Sequence, residues 1–320
     1  MPIPRLASIA GLLALVAVAA CGGADPKPAR PAPGWAPVID ENFADPDILL
    51  AGANYYAYAT QPQEGGRNIT MATSADLKSW HVLSSDPLPR LPAWALAGRT
   101  WAPEVSAVPG GYVMYFTAHS ATPDVQCVGV ARAASPAGPF SVVGSTPLVC
   151  PAEQGGAIDP SSYVDPDGRR YLLWKNDGNC CGKDTWLQVQ PVSPDGTRVT
   201  GPPHRLVKQS LPWEGHLVEA PVLIRHGSTY VLFYSANDYG GGKYATGYAT
   251  APTIFGPYTK GQQPLMSSGQ LKVIGPGGAD VVEVRGGDVI AFHGWDPAIS
   301  YRGMYVGRIV WKGDIPSVQH

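Results

Sequence analysis

Three features of the sequence together predict an all-β fold, a single five-bladed β-propeller domain. One strand-turn-strand outline recurs five times at near-equal spacing, glycine and proline punctuate the whole chain, and long amphipathic helices are absent. The clearest copy runs through Asp159-Pro160-Ser161-Ser162-Tyr163-Val164, turns at Asp165-Pro166-Asp167-Gly168 and returns as Arg170-Tyr171-Leu172-Leu173-Trp174. Its two runs are rich in aromatic and aliphatic residues, and the four residues between them carry turn chemistry. Aligned on Pro46, Pro103, Pro160, Pro221 and Val281, the five copies are 57, 57, 61 and 60 residues apart.

Met1 to Ala20 reads as a secretory signal: Arg5 is the basic region, an apolar run spans Ile9 to Ala20, and small residues precede Cys21. The run is too short to cross a bilayer. Val18-Ala19-Ala20-Cys21-Gly22 resembles a bacterial lipobox, which implies a lipidated Cys21 and anchorage at the bacterial cell surface; plain secretion is the alternative. Residues 22–34, with Pro26, Pro28, Pro31 and Pro33 among alanine and glycine, form an extended tether. The propeller then occupies 35–320, and Trp35 to Ile39 is expected to complete the last blade and close the ring.

Within the propeller, the first copy pairs Ala44-Asp45-Pro46-Asp47-Ile48-Leu49 with Asn54-Tyr55-Tyr56-Ala57-Tyr58, and the second pairs Trp101-Ala102-Pro103-Glu104-Val105 with Gly111 to Phe116. The fourth pairs Val218-Glu219-Ala220-Pro221-Val222-Leu223 with Tyr230 to Tyr234, and the weaker fifth pairs Gly278-Ala279-Asp280-Val281-Val282 with Val289 to His293. Third strands follow at Ile69–Thr73, Cys127–Ala131, Thr185–Gln190, Tyr244–Thr250 and Met304–Val310, then outer turns and short fourth strands such as Ser141 to Val143. Four antiparallel strands per unit, repeated radially, let each blade cover its neighbour's apolar face.

The balance of 23 basic against 25 acidic residues, with 15% charged and no basic cluster, argues against nucleic acid and an electrostatic membrane patch, and favours a neutral substrate. A membrane is met only through the lipid anchor, and a monomer is expected. Four cysteines remain beyond Cys21, and an oxidising compartment favours disulfides among them. Cys127 with Cys150 and a vicinal Cys180 with Cys181 is the simplest pairing, though four cysteines allow three. No C-x-x-C or histidine spacing points to a metal at the thiols.

In a propeller the innermost strands line the axis, so residues some 57 positions apart meet at one mouth. At those strand starts stand Asp45, Asp159 and Glu219, with Asp280 in the fifth unit and Glu104 slightly offset in the second. Carboxylates gathered there repel one another and lose solvation, a cost retained for chemistry or for a cation. A single Asp-Pro is ordinarily a turn or a strand start. The recurrence across units separates these acids from Asp165, Asp167 and Asp195, which sit in turns.

At these motifs, and at Ile158-Asp159-Pro160-Ser161 and Phe292-His293-Gly294-Trp295, the sequence resembles glycoside hydrolase family 43 from about Trp35 to Trp311. The resemblance implies an inverting five-bladed propeller enzyme that cuts arabinose- or xylose-containing oligo- and polysaccharides and requires no cofactor. Carried over, Asp45 becomes the general base, Glu219 the general acid, and Asp159 the carboxylate that raises the acid's pKa and orients it, a division of labour that inversion needs. His293 matches an axial histidine that the family places near a bound calcium ion or a water cluster, which makes it the candidate metal ligand, although Gly275-Pro276-Gly277-Gly278 lacks the histidine the family often shows there. A core histidine in the axis is the plainer reading. Phe43, Trp101 and Trp295 flank the motifs as candidate sugar-stacking residues, with Glu104 and His293 as further substrate contacts.

The favoured expectation is an exo-acting α-L-arabinofuranosidase, with β-xylosidase and endo-arabinanase as alternatives inside the family. A non-catalytic glycan-binding propeller is the alternative outside it. A sialidase is disfavoured because no Ser-x-Asp-x-Gly-x-Thr-Trp box recurs at the blade turns.

Overall fold

The computed structural model describes residues 34–62 and 66–320. The expected signal segment, Cys21 and nearly all of the tether lie outside the described residues.

Five four-stranded antiparallel sheets follow one another along the chain. The first blade is β1 (Asp47–Ala51), β2 (Asn54–Ala59), β3 (Thr70–Ser74) and β4 (His81–Val82). The second is β5 (Ala95–Val108), β6 (Gly111–Ala121), β7 (Asp124–Ala133) and β8 (Ser141–Val142). The third is β9 (Ala157–Val164), β10 (Arg170–Asn176), β11 (Trp186–Val192) and β12 (His204–Lys208). The fourth is β13 (Val218–His226), β14 (Thr229–Ala236), β15 (Ala245–Ala251) and β16 (Thr259–Lys260). The fifth is β17 (Ile274–Val284), β18 (Gly287–Trp295), β19 (Arg302–Lys312) and β20 (Ile315–Gln319).

Alternation along the second strand of each blade builds the core, because successive side chains leave opposite faces of a sheet. In β10, Leu172 and Trp174 pack with Val113 and Tyr115 of the second blade, whereas Tyr171 and Leu173 pack with Leu223 and Leu232 of the fourth. Phe233 of β14 meets Ile290 and Phe292 of β18 by the same rule. Each such aromatic buried between blades contributes roughly 1.5–3 kcal/mol. No blade is buried without its neighbours, so the ring is one cooperative unit.

Both ends of the propeller close it on β19. Val38 donates its N–H to the Met304 carbonyl at 2.7 Å and Met304 donates back to Ile39 at 3.0 Å, while β20 pairs with the other half of β19 from Arg308↔Gln319 to Lys312↔Ile315. Trp35 wedges beneath, edge-on to Phe292 at 5.4 Å.

The five inner strands share one irregularity. Asp45, Ala102, Asp159, Ala220 and Gly278 all have positive φ, between 41° and 55°, and each precedes Pro46, Pro103, Pro160, Pro221 or Ala279. In blades two to five a register shift falls at this dipeptide. A bulge re-aims side chains and frees a proline from the ladder, which is why X-Pro is tolerated in an axial strand. The fifth copy therefore aligns on Ala279 rather than Val281. Its proline and acid are replaced by alanine and glycine, which hid the true phase in the sequence.

Candidate active site

The bulges place the acids in two tiers. Asp45 and Asp159 occupy the left-handed position of blades one and three, and Glu219 stands immediately before that of blade four. These three face one open pocket of about 480 Å3, whose walls also include Trp101, Lys175, Tyr244 and Arg302. Asp47, Glu104 and Asp280 come two residues after the left-handed position, and they line a cavity of about 40 Å3 on the axis together with Asp45 and Asp159.

Asp45 is held at the boundary between the first and fifth blades. Its Oδ2 accepts from the Thr60 hydroxyl at 2.6 Å and its Oδ1 from Arg302 Nη1 at 3.3 Å. The Asp45 backbone N–H donates to His293 Nδ1 at 3.0 Å, and the ring's Nε2 lies 3.5 Å from Arg302 Nη1. Burial alone would push this carboxyl up. The Arg302 guanidinium, His293 and the Thr60 hydroxyl outweigh it and hold Asp45 well below the usual carboxylate range. Burial and the nearby Arg302 charge lower the His293 pKa against the opposing pull of Asp45.

Asp159 is poised the other way. Its N–H donates to Thr117 Oγ1 at 3.1 Å and its Oδ2 accepts from the Ala220 N–H at 2.9 Å. Burial, then the charge of Glu219, push its carboxyl up to about 8, against the opposing pull of Lys175. Glu219 accepts from Tyr244 Oη at 2.8 Å on Oε1 and from Lys175 Nζ at 3.3 Å on Oε2. Burial, followed by the charges of Glu219, Asp45 and Asp159, raises the Tyr244 phenol, which keeps it a donor. One pocket thus presents a carboxylate held low, Asp45, and beside it a carboxyl, Asp159, that burial and the charge of Glu219 push up. That is the equipment for activating water on one side of a bond and protonating a leaving oxygen on the other.

Several expected contacts lie elsewhere. Phe43 is fully buried in the core between the first and fifth blades and reaches no sugar. Glu104 is 8% exposed and belongs to the lower tier, where it accepts from Ser162 Oγ at 3.0 Å. His293 is completely buried and braces Asp45 from behind instead of meeting substrate. Trp101 does line the pocket. Trp295 stands at the rim, donating Nε1–H to the Tyr239 carbonyl at 2.7 Å, with Arg302 stacked 5.7 Å from its ring.

Sequence reasoning missed Thr60, Lys175, Tyr244 and Arg302. Lys175 alone carried a signal, a charge closing the apolar run Tyr171-Leu172-Leu173-Trp174. The disulfides join Cys127 to Cys150 and Cys180 to Cys181, and Cys180 forms part of the pocket wall.

Among the described residues, the group suited to a metal is Asp47, Glu104 and Asp280, one oxygen each within 4.8 Å of one another, and it does not include His293. An all-oxygen set of this kind fits a hard cation such as calcium, with water completing the shell. Burial raises all three carboxyls, and the charge of Glu104 adds to it at Asp47 and at Asp280, which rises to about 7, so shared protons are the alternative to a cation here.

Comparison with known proteins agrees with the fold. The chain is 25% identical over 245 residues to the β-D-galactofuranosidase xynD of Aspergillus niger, covering 71% of this chain and 64% of that protein. It is 26% identical to the extracellular endo-α-(1→5)-L-arabinanase 1 of Bacillus subtilis, with 68% of each covered, and 26% identical to an extracellular exo-α-(1→5)-L-arabinofuranosidase of Streptomyces avermitilis, with 66% of this chain and 44% of that one covered. The matches thus span about two thirds or less of these relatives' length. Among solved structures, a thermostable family-43 glycoside hydrolase superposes with a TM-score of 0.79 at 25% identity, covering 90% of this chain and 96% of that one. An endo-1,4-β-xylanase from Bacteroides thetaiotaomicron superposes at 0.76 and 26% identity, covering 89% and 97%. The model of the glycosyl hydrolases family 43 matches residues 35–314, essentially the whole propeller, and the chain belongs to that family.

Proposed function

We propose that the protein is an inverting, exo-acting α-L-arabinofuranosidase that releases arabinose from arabinan or arabinoxylan. The observation that carries this reading is the convergence of Asp45, Asp159 and Glu219 on one pocket, with Arg302 holding Asp45 low while burial and the charge of Glu219 push Asp159 up. Asp45 takes a proton from water as its oxygen bonds to the anomeric carbon. Glu219 gives its proton to the glycosidic oxygen as the bond to the leaving sugar breaks, and Asp159 orients Glu219 and keeps the pair protonated.

The relatives named for arabinan support the arabinose assignment. A likeness to a xylanase favours β-xylosidase as the second reading. The extracellular relatives and the apolar leader support export, with Cys21 as the lipid anchor. Mass spectrometry of the mature N-terminal peptide will find the lipid there, or an unmodified cut end if the anchor is wrong.

The test compares wild type with Glu219→Gln on 4-nitrophenyl α-L-arabinofuranoside, the matching β-D-xyloside and linear arabino-oligosaccharides. Arabinose release, with inversion seen in the product anomer by NMR, is expected, falling by roughly 10²–10⁴-fold on the oligosaccharides in the variant. Turnover of the xyloside alone moves the assignment to β-xylosidase. No turnover by folded protein overturns the reading.

A further inference from the structure

β10 delivers a buried cation to the pocket. By the alternation of Tyr171 and Leu173, Lys175 turns toward the fourth blade, and its side chain is 0% exposed. An ammonium out of water costs several kcal/mol unless it is paired, so its partners define its use. Nζ lies 3.3 Å from Glu219 Oε2, 2.6 Å from Asn179 Oδ1 and 3.5 Å from Asp177 Oδ1.

Two of these partners flank or form a rim turn rather than the catalytic tier. Asn179 belongs to the short helical turn Gly178–Cys181, which Asp177 precedes and the Cys180–Cys181 disulfide closes. Gly178 is packed so tightly that an added Cβ would meet the Asp184 carbonyl at 2.6 Å and the Asn176 amide at 2.7 Å, so the turn has little freedom to shift. Glu219 meanwhile has a donor on each oxygen, Tyr244 from one side and Lys175 from the other, which fixes the plane of its carboxyl group.

We propose that Lys175 is a positioning residue: its ammonium aims the Glu219 carboxyl at the leaving oxygen and references that aim to the rim turn closed by Cys180–Cys181. The inference rests on Glu219 being the proton donor. The proton transferred is that of Glu219, which passes to the glycosidic oxygen.

Leaving-group dependence tests this, because a sugar alcohol must be protonated as it departs and a nitrophenolate need not be. The variants are Lys175→Met, which keeps length and loses charge, and Asn179→Ala at an exposed side chain, each checked by thermal melting. Lys175→Met is expected to lower kcat on arabino-oligosaccharides by about 10²-fold with KM little changed, and kcat on the 4-nitrophenyl glycoside by less than about tenfold. Asn179→Ala shows the same ordering, a several-fold loss on the oligosaccharide and almost none on the aryl glycoside, and supplies the readout if Lys175→Met does not fold.

Equal losses on both substrates, or no loss, in the folded variants overturn the proposal. Glu219→Gln separates it from the reading beneath. If Glu219→Gln shows the leaving-group contrast and the Lys175 and Asn179 variants do not, only the positioning role fails. If Glu219→Gln itself loses both substrates equally, Glu219 is not the donor and both fall.

Discussion

Replacing Arg302 by methionine removes the positive charge beside Asp45 while keeping most of the side chain's bulk. At 3.3 Å two unit charges interact by about 5 kcal/mol at an effective dielectric of about 20, and by about 1.3 kcal/mol in bulk water. The two side chains are 24% and 15% exposed, so the pair lies between these limits. With about 1.4 kcal/mol per pH unit, Asp45 rises by roughly one to three units in Arg302→Met. Burial is then opposed only by His293 and Thr60. On the proposed role Asp45 is ionised to activate water, so the acid limb of kcat/KM, which reports the free enzyme, moves up by that amount. In the wild type the depressed carboxyl stabilises the fold above the ordinary carboxylate range, and that contribution disappears as pH falls through its lowered value. The variant keeps less of it, only what His293 and Thr60 still supply. The assay is kcat/KM for a chromogenic glycoside from pH 3 to pH 9 with a parallel series of thermal melts. Superimposable acid limbs in two folded proteins would falsify the assignment of Asp45 as the ionised base held by Arg302.

Asp159→Asn tests the opposite sign: a carboxyl raised to about 8 makes the native state bind a proton that the unfolded chain has lost, so stability declines as pH rises from about 4 toward 8. The variant should melt higher than wild type at pH 8, by the equivalent of about 1–2 kcal/mol, while its activity collapses; a lower melting point refutes the strained-pair account. Gly278→Ala would set a Cβ 2.6 Å from the His293 ring and 2.8 Å from Asp45 Oδ1 at a φ of 55°, and should cost about 2–4 kcal/mol and most of the activity, measured by urea titration and initial rates. Millimolar calcium should raise the melting temperature of wild type and leave Asp47→Asn unmoved; an indifferent wild type assigns the lower tier to shared protons.

The fold was legible because the X-Pro bulge that brings each inner strand to the axis is written into four blades as Asp-Pro or Ala-Pro, with an aromatic strand following at fixed distance. The upper-tier acids were legible for the same reason, since Asp45 and Asp159 occupy the bulge itself. The fifth blade was misphased because Gly278-Ala279 meets the same backbone demand without proline, its Cβ position being taken by His293. Phe43 and Trp101 carry the same local signal, an aromatic beside a motif. Only the ring decides that one fills the core and the other faces the pocket. Arg302, Tyr244 and Thr60 were out of reach because each acts on an acid through strands whose spacing carries no chemical pattern.

The two ends of the propeller lie against one strand, and Asp45 draws its histidine and arginine from across that junction, 248 and 257 residues away in sequence. Nascent blades can stack as they emerge, whereas the low-pH carboxylate cannot be wired until the last strands arrive. A chain ended before β18 therefore still carries Asp45 and lacks the His293 and Arg302 that brace it.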